Sequence, residues 1–503
     1  MHRFRVAFAD SLSDRFVLPK GMWRLALGLL LGFLAFPLLP AFLAQTTSTI
    51  EGTVSDRQGL TISGAEVSVT ANTLAVSRKT TTDATGNYQI SALPAGIYRL
   101  TVSHAGFSTQ EFKDLEMTLN RTLKFDVSLD VGTVAQKVVV SAEMPLLETT
   151  ASSQGATIVP SQIVNMPING RNYLDLMQLV PGVAINRQAD LNSDNATPVL
   201  GERANNTGFL IDGLSNQDEL SGGAAAQFNQ DTIAEFQVIT TGYKAEFGHA
   251  SGGVVNVITK SGTNDTHGLV SAYHRNSAFD SSNIPGQPNV PYLLRWDYDV
   301  AGGGAWIRDK AFWFGSAEGI HENRQLNFVP PPNTPQFLID NEETYNEPTT
   351  NREVRLFAKF DQVLSNHHIT EQMNYTNVHV NSTNPLSAAN SLPSTRTNLG
   401  DRNLLLGFSD VVTFGNSGSP FILNLRGQYR DEPTLTSPAH PQAGPNTTFN
   451  LFSSYTTFGI FGDLGQFSYG ATFTPSTVEQ KYGAFGANLN KAISRQLEVR
   501  LGL

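Results

Sequence analysis

The sequence predicts a mostly β, exported chain: a small β-sandwich, then a mixed α+β segment, then strands of an antiparallel transmembrane β-barrel. Three observations carry that reading. Charged residues make up only 16% of the 503 residues, and 43 glycines and many uncharged polar residues fill the gap. Ordinary soluble domains carry roughly 25% charged residues. Apolar and polar residues alternate over stretch after stretch, the period of a strand with one buried face. The apolar run Leu25 to Ala44 follows a basic stretch of Arg3, Arg5, Arg15, Lys20 and Arg24, and no later stretch is apolar enough for a spanning helix.

The charge balance narrows function. With 34 basic and 44 acidic residues the chain has a net charge of -10, which argues against nucleic acid as a partner. Cysteine is absent, so disulfides, thiolate metal sites and thiol nucleophiles are excluded. Pro37 and Pro40 interrupt the early apolar run. A positive region, an apolar core and a small residue at the end read as a signal peptide over residues 1–44, cut after Ala44. An uncleaved anchor is the alternative. An exported chain that enters a membrane without spanning helices does so as a barrel.

Residues 45–132 read as the sandwich. Leu123, Phe125, Val127 and Leu129 alternate with Lys124, Asp126, Ser128 and Asp130, and Tyr98, Leu100 and Val102 do the same with Arg99, Thr101 and Ser103. Turn residues at Ser55 to Gly59, Asp83 to Asn87 and Leu93 to Gly96 separate the strands. With Gly59, Ala65, Asp83, Gly86, Tyr88, Leu93, Pro94, Gly96, Tyr98 and Gly106, this segment resembles the carboxypeptidase regulatory-like domain. The resemblance implies a transthyretin-like β-sandwich, of a class often called carbohydrate-binding-like. All four tryptophans lie outside it, so no stacked-tryptophan sugar platform is present. A structural spacer is the main reading and a ligand binder the minor one.

A linker over 133–150 contains Val138, Val139, Val140, Ser141 and Ala142, an extended, β-branched stretch. Residues 151–264 mix patterns. Tyr173, Leu174, Met177 and Val180 have helical spacing, stopped by Pro181 and Gly182, while Phe209 to Gly213 and Gly252 to Asn264 read as strands ending in turns. Gly170, Arg171 and Asn172, then Arg203, Asn206, Asp212 and Gly213, then Glu246, Gly248, Gly252 and Gly253 stand in an order that resembles the plug domain of TonB-dependent outer-membrane receptors. A sandwich ahead of the plug resembles the Oar-like group of that family. The stretch "GERANNTGFLIDG" departs from the form common in iron-siderophore receptors, so the resemblance does not extend to their substrate.

Residues 265–503 supply the strands of a partial barrel. Leu269 to Arg275, Trp296 to Trp306, Ala311 to Gly319, Val354 to Phe360, Ile369 to Val378, Asn403 to Phe414, Phe421 to Tyr429, Gln480 to Leu489 and Gln496 to Leu503 are each near the length a tilted membrane strand requires. Short turns alternate with long polar segments, the layout of outer-membrane barrels. Phe312, Trp313 and Phe314 suit an aromatic girdle. Gly302, Gly303 and Gly304 lie mid-strand, where they allow bending or close approach. His368 and Glu371 spell a zinc-binding pattern, but residues three apart on a strand face opposite sides. No assembled catalytic set and no cofactor motif is found, so an enzyme is the least favoured class.

The resemblance implies a receptor in the outer membrane with its sandwich in the periplasm. It implies transport of a ligand, whether iron chelate, glycan or peptide, driven by the TonB energy-transducing complex. A handle for that complex should be extended and able to add to a sheet edge, as residues 138–142 are. The alternative is that these valines are the last sandwich strand. A surface adhesin and an export channel share the same architecture. The family's barrels have many more strands than are counted here, and the last residues read as a strand in progress, so the sheet is expected to be unclosed and the chain incomplete.

Overall fold

The computed structural model describes residues 47–502 apart from 72–76, 119–120, 133–136, 142–152, 167, 184–198, 204–205, 219–221, 244–246, 248–249, 281–291, 327–334, 384–392, 417–418, 444–446, 454–461, 470–474 and 495–496. The signal peptide expected over 1–44 lies outside the described residues, as do Ala142, Glu246 and Gly248.

Nine strands come first: β1 (Thr47–Asp56), β2 (Glu66–Ala71), β3 (Ser77–Thr81), β4 (Asn87–Pro94), β5 (Gly96–Ser103), β6 (Thr109–Met117), β7 (Thr122–Lys124), β8 (Val127–Leu129) and β9 (Lys137–Ser141). They form two sheets, β4-β1-β7 with β8 also on β1, and β3-β2-β5-β6-β9. Between the sheets the alternating residues pack one core that includes Ile50, Val67, Leu93, Tyr98, Leu100 and Leu129. The turns follow their side-chain chemistry. The Asp83 carboxylate accepts from the amides of Thr85 and Asn87 at 2.8 and 2.9 Å, and Gly86 takes φ +75°, where an added Cβ would stand 2.8 Å from the Val54 carbonyl oxygen.

Next comes a mixed sheet, β10-β13-β14-β11-β12, built from β10 (Gln154–Ile158), β11 (Thr207–Ile211), β12 (Leu214–Ser215), β13 (Ile233–Thr241) and β14 (Gly253–Thr259). β11 and β14 run parallel and the other pairs antiparallel. The helical spacing seen around Tyr173 resolves into helix α1 (Pro160–Asn165) and a 3-10 stretch, Tyr173–Leu179. The segment is too short and too interrupted for a longer helix: Gly170 takes φ +76° between the two pieces, and Asn172 caps the second by accepting from the Leu174 amide at 3.1 Å.

The remaining strands are β15 (His267–Asn276), β16 (Leu293–Ile307), β17 (Ala311–Arg324), β18 (Thr349–Leu364), β19 (His367–Thr383), β20 (Thr397–Asn416), β21 (Ser419–Pro438), β22 (Thr447–Ser453), β23 (Gly462–Tyr469), β24 (Ser476–Ser494) and β25 (Leu497–Gly502). Nine of them form one antiparallel sheet, β15-β16-β17-β18-β19-β20-β21-β24-β25, whose edges β15 and β25 are not joined among the described residues. Among the described residues β22 and β23 pair only with each other, within the connection from β21 to β24. Helix α2 (Gln336–Glu343) lies in the long connection from β17 to β18.

Two sequence expectations need correction here. Strands β20 and β21 are 20 residues long, about twice the stretch read from sequence, because they run on beyond the apolar band where alternation no longer marks them. Phe312 and Phe314 do not join an outer girdle. Period two turns them inward, 2% and 3% exposed, while Trp313 between them faces out, opposite Phe360. The outer aromatic contacts beside the short turns are Trp306 with Phe360 and the stacked pair Phe414 and Phe421.

Candidate plug–wall interface

The five-stranded mixed sheet packs against the inward face of the barrel strands, since Ala301, Phe314 and Phe357 belong to the same apolar cluster as Tyr173, Phe228, Phe236 and Val255. Around that cluster the contacts are polar. Inward positions on a lumenal wall alternate with lipid-facing ones, so each strand presents a row of polar groups to whatever fills the lumen.

The motif residues lie along this boundary. The Gly170 carbonyl accepts from Arg295 Nη2 at 2.9 Å. Arg171 Nη2 lies 2.5 Å from Asp231 Oδ2, and its guanidinium stacks 4.1 Å over the Tyr273 ring. Asp212 and Gly213 form the tight β11–β12 turn, both at positive φ. The Asp212 carboxylate is bracketed by Thr259, from the amide at 3.0 Å and from Oγ1 at 2.5 Å, and Lys359 Nζ of the wall stands 3.5 Å away. Asn206 and Arg203 serve the plug itself. Asn206 donates to Glu202 and its carbonyl takes the amides of Ser251 and Gly252, while Arg203 is exposed. A side chain on Gly253 would meet the Ile239 carbonyl at 3.2 Å, with φ at +146°.

Other residues that grip the plug carry no motif. Arg355 Nη1 lies 2.9 Å from Glu318 Oε2 and 3.3 Å from the Phe228 carbonyl, with Glu353 at 2.5 Å from its Nε. Arg295 also reaches Glu322 at 3.1 Å. Asn229 donates to Asp299, and Thr232 and Ser316 share a hydroxyl contact of 2.7 Å. Asn374 and Thr376 both donate to the Gln227 carbonyl. Gln428 makes a two-way pair with the backbone of Ser215, accepting at 2.7 Å and donating at 3.1 Å, and Arg426 donates to the Gly213 carbonyl. The available sequence signal was charge at every second position, as in Glu353, Arg355, Lys359 and Asp361, on strands read as membrane-spanning.

Burial tunes the plug side. It pushes the Lys260 ammonium below its usual range, against the pull of Asp231 and Asp299, and it pushes the Tyr173 phenol up. The exit from plug to barrel is narrow. A Cβ on Gly262 would stand 2.3 Å from the Trp313 carbonyl and 2.5 Å from that of Gly304, so the glycines of β16 permit close approach. His368 lies 3.6 Å from Asp361, whereas Glu371 is on the opposite face. β9, which carries Val138, Val139, Val140 and Ser141, is the edge strand of the second sandwich sheet, parallel to β6 with Gln110 opposite Val138 and Phe112 opposite Val140.

Residues 49–130 match the family described as carboxypeptidase regulatory-like domain, and residues 258–327 match the outer membrane beta barrel domain. The chain is 29% identical over 308 residues to the TonB-dependent transporter Oar of Myxococcus xanthus, covering 58% of this chain and 27% of that protein. It thus spans about a quarter of the curated relative it matches. Among solved structures, the outer membrane transporter YddB from Escherichia coli is 12% identical at a TM-score of 0.46, covering 67% of this chain and 45% of its own. The ferric-catecholate import receptor Fiu from Escherichia coli K12 is 13% identical at 0.42, covering 70% and 56%. The chain thus carries a carboxypeptidase regulatory-like domain and part of an outer membrane beta barrel domain, and its sequence is similar to that of the TonB-dependent transporter Oar.

Proposed function

We propose that this chain serves energy-coupled movement of a ligand through a plugged outer-membrane barrel, with residues 45–132 as a periplasmic sandwich, 133–150 as a linker whose β9 part lies along the edge of that sandwich, 151–264 as the plug and 265–503 as barrel wall. One observation carries the reading: a folded sheet is held to the inward wall chiefly by hydrogen bonds and ion pairs, contributed by Arg295, Arg355, Lys359, Arg426 and Gln428. Such contacts exchange readily for water, so a pull on the plug can release it.

The outer membrane lipid faces Trp296, Tyr298 and Val300, which are exposed on the opposite side of β16. The TonB complex engages the segment 138–142. Its β9 part is already extended, and one edge of that strand is unpaired among the described residues, which suits strand addition to a partner's sheet. The ligand arrives from the side of the long connections and is not identified by this reading.

The test is deletion of residues 138–142 followed by capture on the immobilised periplasmic domain of TonB. The reading expects capture of the unaltered protein and at least tenfold less of the deletion variant. Equal capture of both overturns it.

A further inference from the structure

β21 leaves its short turn at Ser419 and runs toward the long connections. Its inward residues change role along the way. Arg426 and Gln428 are occupied by the plug backbone at Gly213 and Ser215. The next two inward positions, Arg430 and Glu432, are not. Arg430 is 1% exposed, yet neither Nη1 nor Nη2 has a hydrogen-bond partner among the described residues. Its Nε faces Glu432 Oε2 at 3.4 Å, and its guanidinium lies 5.2 Å from the Tyr482 ring on β24. Beside them on β20, Asn403 is 1% exposed and its amide adjoins the Glu432 carboxylate, but among the described residues no contact it makes has full hydrogen-bond geometry. Two bare guanidinium nitrogens and a loosely held Asn403 amide are thus gathered on neighbouring wall residues. Buried polar groups are normally satisfied, and each one left open is costly, so such a concentration marks a place where something else completes the set.

The charges say what fits. The Nη edge of Arg430 is the fork that takes a carboxylate through two parallel bonds. A bare anion is disfavoured, because Glu432 adjoins that fork and Asp218 of the plug and Asp401 of β20 add their charges to it. A bare cation is disfavoured by the fixed guanidinium. A short flexible ligand with a charge at each end, able to fold until the two charges stand as close as Arg430 and Glu432, meets both demands, and the Asn403 amide supplies one donor and one acceptor for a peptide group.

We propose that Arg430, Glu432 and Asn403 form a recognition site for a zwitterionic head group of the amino-acid or peptide type, its carboxylate on Arg430 and its ammonium on Glu432. The proposal rests on the receptor reading above and names the ligand class for it.

The experiment uses the full chain purified in detergent micelles, at neutral pH, with no energy-transducing partner present, so its outcome is independent of the TonB capture. Titration calorimetry compares trialanine with free termini, its N-acetylated form, its C-amidated form and inorganic phosphate. Saturable binding of trialanine is expected, weakened about tenfold or more by blocking either end, with no saturable binding of phosphate. Arg430→Met should weaken trialanine about tenfold while leaving the C-amidated form unchanged, and Glu432→Gln should do the converse with the N-acetylated form. Arg430→Lys, which keeps the charge and loses the fork, serves if Arg430→Met does not fold, and should fall between. Absence of trialanine binding, equal binding of the blocked forms, or tighter binding of phosphate overturns the proposal.

Discussion

Gly262→Ala puts one methyl group where the plug runs into the barrel. Real Cβ atoms essentially never come within 3.0 Å of a heavy atom outside their own residue and its chain neighbours, and here the three nearest would be at 2.3, 2.5 and 2.8 Å. The overlap is therefore at least 0.7 Å with the Trp313 carbonyl (3.0 less 2.3) and 0.5 Å with that of Gly304 (3.0 less 2.5). Both obstacles are backbone, and Gly304 and Trp313 are register partners across β16 and β17, so neither can yield alone. Overpacking costs about 1–3 kcal/mol, and two fixed carbonyls place this case at the upper end. About 3 kcal/mol multiplies the population of a loosened plug on the order of a hundredfold. Limited proteolysis in micelles, scored on cleavage within residues 151–264, reads that population. Gly319→Ala is the control, since nothing lies within 4 Å of its added methyl. Equal cleavage rates in the two variants would refute the close-approach argument.

Three further outcomes are expected. Gly253→Val should loosen the plug by about 1–3 kcal/mol, since φ of +146° and the Ile239 carbonyl both oppose a branched side chain; unchanged thermal unfolding would contradict this. Arg355→Met should cost about 3–5 kcal/mol by stranding Glu318 and Glu353, and adding Glu318→Gln should recover part of it in a denaturant titration. The Tyr88 and Tyr98 phenols are pushed above their ordinary value of 10 chiefly by burial, and they donate to the Phe125 and Pro94 carbonyls. A raised folded value means the folded sandwich holds its protons longer, so its stability should be full below pH 10 and fall as pH rises above it, less steeply in Tyr98→Phe, as followed by tyrosine absorbance.

The sandwich was legible because its signals are local. Asp83 and Gly86 make their turn with residues within four positions, and alternation along β5 depends on no distant partner. The barrel strands were legible only where one face is apolar. Their polar extensions were not, nor was the hairpin of β22 and β23. The grip on the plug was hidden for a different reason: Arg426 meets Gly213 and Gln428 meets Ser215 across 213 residues of sequence, and nothing near either residue specifies the other. Asp212 was found by its motif, but its partner Lys359 follows from topology alone. The valines of 138–140 stay open to both sequence readings, since an edge strand of the sandwich and a strand offered to a partner are the same extended segment seen from its two edges.

The division between apolar and polar contact suggests how a plug can be firm and yet releasable. Its own sheet is closed by a buried cluster of large apolar side chains, including Phe209, Phe228, Phe236, Val255 and Val257. Losing that cluster would expose each of them at about 1.5–3 kcal/mol. Against the wall, the apolar share of the same cluster is Ala301, Phe314 and Phe357, Leu214 adds a contact at Gly407, and hydrogen bonds and ion pairs make up many of the rest. Those polar groups regain water when separated, and their net worth is about 0.5–1.5 kcal/mol each. A steady pull therefore meets its lower resistance at the wall. On the proposed reading, the plug shifts as a folded body before it unravels, and the path it opens runs beside β21, from Arg426 and Gln428 toward Arg430.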